Sequence, residues 1–251
     1  MIVRAQCISD KKLTIYRIIA KFLCLSSAIV AFAPNPSGFI FYLTNWAYVL
    51  TLLYLSYVIV YGLDAFYLHQ SSKLHKFLSF FLRERGAQFL FELVWATEVV
   101  TTLWFWVAVI VLQLEHKGFD IVYAIVAHTV PFVFVGVDNI FNCIRFRLYD
   151  FLLLQLVYVP YGIVNWLCVK LKLGPNPVYP YITWNNWATF LAIFGSELTA
   201  FLAFLIGYFI GEYKYKKEKN RLNESESENE TGDETDNRNL NVRIKNNLLT
   251  N

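Results

Sequence analysis

His128 and Asp138 lie inside one continuous apolar run, residues 120–140. On insertion scales an Asp at membrane depth costs about 2.5–3.5 kcal/mol, so such groups are kept for function or as hydrogen-bonding links between helices. Thr44 offers His128 a chemistry. It stands about five residues into an earlier apolar run, roughly 7–8 Å at the helical rise, and His128 about seven residues into its own, roughly 10 Å. The two fall in one layer. A threonine hydroxyl is a weak nucleophile until a base takes its proton, and a neutral imidazole is such a base. The structural alternative for His128 is an interhelical hydrogen bond. For Asp138, Arg145 and Arg147 just past the end of the run are sufficient ion partners, and a structural role is expected.

The chain that must position these residues has 251 residues, of which 57% are hydrophobic, 18% aromatic and only 16% charged. The apolar residues come in runs of about 20, the length of a membrane-crossing helix. The expected fold is all-α: a polytopic membrane protein with a bundle of six transmembrane helices, over residues 13–32, 39–63, 87–114, 120–140, 149–169 and 187–213. Arg17 and Lys21 in the first span are expected to snorkel to the interface. Residues 1–12 form an N-terminal segment, and the first span reads as an uncleaved signal-anchor rather than a cleaved signal peptide. Residues 33–39 form a Pro/Gly turn. The basic stretch with His69 and His75 suggests a short interfacial helix over residues 74–82.

Lys and Arg concentrate in alternate loops: before the first span, after the second and fourth, and after Tyr213. By the positive-inside rule both termini are cytosolic, and Thr44 and His128 lie toward the opposite leaflet. Residues 214–251 form a charged cytosolic tail whose Glu/Asn/Asp/Ser composition from Asn223 onward predicts disorder. Its two glycosylation sequons, at Asn223 and Asn229, are then expected to stay unmodified.

Other chemistries find no support. The chain has no phosphate-cradling loop and no G-x-S-x-G elbow. Its four cysteines are scattered at unrelated spacings, and its four histidines do not cluster, so neither a disulfide framework nor a metal site is expected. No organic cofactor and no nucleic-acid partner are expected either. Glu92, Glu98 and Glu197 lie within spans; they read as partners in ion pairs or helix-to-helix hydrogen bonds, while Glu98 and Glu197 leave a small transporter as a third functional class.

Phe41-Tyr-Leu-Thr-Asn-Trp46, His128-Thr-Val-Pro-Phe132 and Tyr179-Pro180, in this order across six spans, resemble the family of androgen-induced and androgen-dependent membrane hydrolases and its relatives, the rolling stone proteins. The resemblance covers about residues 13–213. It implies hydrolysis of fatty acid esters of hydroxy fatty acids within the bilayer, with Thr44 as nucleophile, His128 as its partner and no cofactor. Apart from the resemblance, a polytopic chain with no readable exit or retention signal is expected in the endomembrane system, the endoplasmic reticulum by default, or in the plasma membrane. Ile125 stands where the hydrolases carry a second His, and Asp138 where they carry Glu. Leu-Thr-Asn-Trp and the Trp184 that follows Tyr179-Pro180 are closer to the rolling stone proteins, which implies the alternative of a non-catalytic multi-pass protein acting in membrane organisation or cell contact and fusion.

Overall fold

The computed structural model describes residues 9–32, 40–67, 84–110, 119–173, 179 and 182–248. Among the described residues the secondary structure is helical, without a strand. The expected turn at 33–39 and the interfacial helix at 74–82 lie outside them. The helices are α1 (Asp10–Phe32), α2 (Leu43–Tyr67), α3 (Glu84–Ile110), α4 (Phe119–Phe141), α5 (Gln155–Leu171) and α6 (Trp187–Leu248), with a 3-10 helix, Leu148–Leu154, leading into α5. Six stretches are long and apolar enough to cross a membrane, the fifth made of the 3-10 helix and α5 together. The protein is a polytopic membrane protein, and its outward residues fit a hydrocarbon solvent: Phe22, Leu156 and Phe190 are each more than 60% exposed.

The chain divides into two units, residues 1–211 and 212–251. In the first, α1 to α4 form a closed ring in which each helix packs on the next and α4 returns to α1. Polar side chains bind this ring from within. Along one face of α2, at helical spacing, the Tyr48 hydroxyl meets Ser27 Oγ at 3.1 Å, Thr51 Oγ1 donates to Glu98 Oε1 at 2.6 Å, and the Tyr54 hydroxyl donates to Asp138 Oδ2. Glu92 accepts from Gln88 Nε2 and from the Arg147 amide, both at 2.9 Å. The intramembrane glutamates are thus tied by hydrogen bonds between elements, as expected where a bilayer supplies no water.

Two expectations are corrected here. Asp138 does not pair with Arg145 or Arg147; Arg17 of α1 reaches it, Nε to Oδ1 at 2.8 Å and Nη2 to Oδ2 at 3.3 Å. Arg17 accordingly does not snorkel: it is 2% exposed, and Asp138 is fully buried. The reason is geometric. Arg17 faces the ring interior, where the carboxylate, Tyr54 and Asn142 compensate the charge that the interface would otherwise have to hydrate.

α5 and α6 stand off from the ring and touch it at few points. The Trp95 indole donates to the Ala203 carbonyl at 2.8 Å. Gly207 lies against the Phe146 ring, where a Cβ would come within 2.6 Å, and Gly211 faces the Ile144 carbonyl. Gly207-Tyr-Phe-Ile-Gly211 is a small-residue stripe that lets α6 approach the chain after α4. In the second unit the helix runs to Leu248 where the composition predicts disorder from Asn223. This segment contains no proline and one glycine, Gly232, so nothing in its backbone chemistry forbids the helix.

Candidate active site

The gap between the ring and the α5/α6 pair is a cavity of about 1190 Å³, open-sided rather than sealed. This exceeds the usual range of small-molecule pockets, about 300–1,000 Å³. Its walls are mainly apolar, and several of them, Val159, Ile163 and Leu191 included, are exposed side chains of α5 and α6. Thr44, Asn45 and His128 line it as well.

Thr44 and His128 meet there. Thr44 Oγ1 lies 3.3 Å from His128 Nδ1, within hydrogen-bond reach. Thr44 occupies the first turn of α2 and is 7% exposed. The start of α2 is held by two phenols from beyond the ring. The Leu43 amide, one of the helix-end donors that lack an intrahelical acceptor, donates to the Tyr179 hydroxyl at 3.1 Å. The Tyr161 hydroxyl donates to the Phe41 carbonyl at 3.0 Å. The two phenols also interact with each other. Burial pushes the Tyr179 phenol above its ordinary pKa, so it keeps its proton.

His128 sits in α4, three residues before Pro131, whose missing N–H interrupts the helical hydrogen bonding of the turn that carries the histidine. The carbonyl that loses its donor is that of Ala127, and the His128 backbone carbonyl accepts from the Thr102 hydroxyl of α3. The ring is fixed by Phe105 of α3, stacked at 4.2 Å between centroids and 7° between planes. The stacking sets the plane in which the ring reaches Thr44. Asp138 is ten residues further along α4, about 15 Å at the helical rise, and belongs to the Arg17 cluster rather than to the imidazole.

The chain after α5 completes the site. Trp184 adopts φ 58°, the left-handed region, which is costly for a bulky side chain, about 1–3 kcal/mol. Two hydrogen bonds hold it there: its amide donates to Thr189 Oγ1 at 3.0 Å and its indole to Asn165 Oδ1 at 2.8 Å. Both Trp184 and Asn165 line the cavity. Sequence reasoning placed Thr44 and His128 together but missed Phe105, Tyr161, Tyr179 and Asn165 as their supports. For Tyr179 the one signal available was the aromatic density of residues 174–186.

Among the described residues, no three His, Cys, Asp or Glu side chains come together as a metal site requires. The chain matches no protein-family model, no curated protein and no solved structure.

Proposed function

We propose that the protein is an integral membrane hydrolase of lipid esters with Thr44 as nucleophile and His128 as general base. The observation that carries this reading is the 3.3 Å approach of Thr44 Oγ1 to His128 Nδ1 on the wall of a cavity large enough for an acyl chain. His128 Nδ1 takes the Thr44 proton as Oγ1 adds to the ester carbonyl carbon. Collapse of the tetrahedral species breaks the bond to the alkoxy oxygen, which receives that proton from His128 and leaves as the alcohol. A water deprotonated by the same nitrogen then attacks the acyl-threonine, releasing the acid and restoring the Thr44 hydroxyl. The amino-terminal end of α2, the positive end of its dipole, lies at the reacting carbonyl in this scheme, the sense needed to stabilise an oxyanion. No cofactor takes part.

Fatty acid esters of hydroxy fatty acids, the substrates implied by the motif resemblance, are the first to assay. With both termini cytosolic, as the Lys/Arg distribution argues, the pair works in the non-cytosolic leaflet of an endomembrane or of the plasma membrane. The test is turnover of a lipid-ester panel by purified protein. Thr44→Ala and His128→Ala should each lower kcat at least about 10²-fold, and a fluorophosphonate probe should label wild type but not Thr44→Ala. Activity that survives either substitution overturns the assignment. No turnover across the panel favours the non-catalytic role in membrane organisation or cell contact.

A further inference from the structure

Gly195, Gly207 and Gly211 of α6 are explained by close packing. A Cβ there would come within 2.8 Å of the Trp104 ring, 2.6 Å of the Phe146 ring and 3.2 Å of the Ile144 carbonyl oxygen. Gly162, in the interior of α5, has no such reason. A Cβ on it meets nothing within 4 Å, and its backbone does not take the left-handed φ that calls for glycine. Glycine nonetheless weakens a helix interior relative to alanine.

The surroundings of Gly162 supply a reason. Tyr158 and Val159 stand four and three residues before it, Asn165 and Trp166 three and four after, the positions that share a helix face with it. All four line the cavity, and so does Gly162, at the middle of the face that α5 turns toward it. The wall lacks a side chain at that point. The same turn of α5 carries Tyr161, whose hydroxyl reaches the Phe41 carbonyl at 3.0 Å, so the gap lies near the start of α2, where Thr44 stands.

We propose that Gly162 is a specificity-determining residue of the cavity: the space left by its missing side chain sets how wide an aliphatic chain can be beside the carbon that Thr44 attacks. The chain lies against α5, whose Val159 and Ile163 give it apolar contact. The gap takes up methyl branches that a larger residue would exclude, and a straight chain needs less of it. The position beside the attacked carbon rests on the hydrolase reading; the gap in the wall does not.

The test is ligand binding to the full-length protein in nanodiscs, with Gly162→Ala and Gly162→Leu beside wild type. Long-chain methyl ketones of one length, inert to hydrolysis, compete with a fluorescent polyene fatty acid. One ketone is straight, and the other carries geminal methyl groups on the chain carbon next to the carbonyl. The readout is the ratio of their dissociation constants. In wild type the ketones should bind within about threefold of each other. The ratio should rise from glycine through alanine to leucine, by about tenfold at leucine, the size of ordinary overpacking written as a ratio of Kd values. Alanine and leucine are both better helix formers than glycine, so the melting temperature should stay level or rise. Gly136→Leu is the control: a Cβ there also meets nothing within 4 Å, but Gly136 is off the cavity wall, and the ratio should stay as in wild type.

A ratio that stays constant from glycine to leucine overturns the proposal, as does one that rises equally in Gly136→Leu. A rise that comes with a lowered melting temperature also overturns it, because the helix itself is then disturbed. Moving the methyl groups along the chain, with ester turnover measured on the same preparations, separates the two ideas. A ratio that responds only to branches far from the carbonyl, without turnover, sinks the hydrolase and keeps the gap; turnover with a constant ratio does the reverse.

Discussion

Arg17 of α1 and Asp138 of α4 form an ion pair, Nε to Oδ1 at 2.8 Å, in which neither side chain is accessible to solvent beyond 2%. A pair of this kind closes the four-helix ring because each charge is intolerable without the other. Removing one partner of a buried pair costs about 3–5 kcal/mol, whereas replacing both by apolar residues of similar volume is often neutral. Arg17→Met and Asp138→Leu should each lower the melting temperature sharply in detergent, and the double variant should recover only part of the loss, since the Tyr54 hydroxyl and the Asn142 amide still lose their acceptor. Ester turnover per folded molecule should be unaffected in the double variant, since Asp138 sits two to three turns from His128. A selective loss of kcat would instead give Asp138 a place in the reaction.

In the proposed hydrolase, the phenols that hold the start of α2 would be positioning residues. Tyr179→Phe leaves the Leu43 amide without its acceptor, at a cost of about 1–3 kcal/mol. That loss acts one residue from Thr44, the proposed nucleophile. The expected result is a fall in kcat of about tenfold with KM changed less than twofold, because the distance to His128 loosens while the cavity walls stay. Tyr161→Phe should act in the same direction. A purely structural role would lower stability and leave kcat per folded molecule alone.

Gly207 and Gly136 make a matched pair. A Cβ at Gly207 meets the Phe146 ring at 2.6 Å, while one at Gly136 meets nothing within 4 Å. Gly207→Ala should destabilise by about 1–3 kcal/mol, the usual cost of overpacking. Gly136→Ala in α4 should be neutral or slightly stabilising, since Ala is the better helix former. Thermal unfolding of the two variants side by side checks this.

Orientation is testable with the tail's own sequons. On the cytosolic side Asn223 and Asn229 should carry no glycan when the protein is made in eukaryotic cells, while a sequon inserted at residues 174–178 should be modified. The reverse pattern would invert the topology.

The spans were legible because hydrophobic runs report length directly, and five of the six begin and end within a few residues of the helices observed; the sixth begins at Trp187 as expected but its helix runs on to Leu248. The common depth of Thr44 and His128 was legible because depth follows from residue count, and the motif resemblance singled this pair out among many such coincidences. Facing is different. Arg17 reads as a snorkelling charge from its position near a span end, and only the partner across the ring shows that it points inward. Tyr161, Tyr179 and Trp184 were illegible as supports for the same reason: their bonds cross 120 or more residues of chain to α2, or depend on a left-handed backbone at Trp184 that no local pattern announces. The Gly207-x-x-x-Gly211 stripe passed unread in the sequence, because only its packing against Phe146 and the Ile144 carbonyl gives it a meaning.

The open flank of the cavity, bordered by Val159, Ile163 and Leu191, has a kinetic consequence if the occupant is a lipid. Such a molecule would arrive sideways from the surrounding hydrocarbon and never cross bulk water. The effective substrate concentration is then a mole fraction in the membrane or micelle, not a molarity. Adding inert detergent at constant total substrate should slow the reaction by dilution within the surface, and adding buffer should not. Two substrates of equal intrinsic reactivity would be ranked by how deeply they hold their ester group at the level of Thr44.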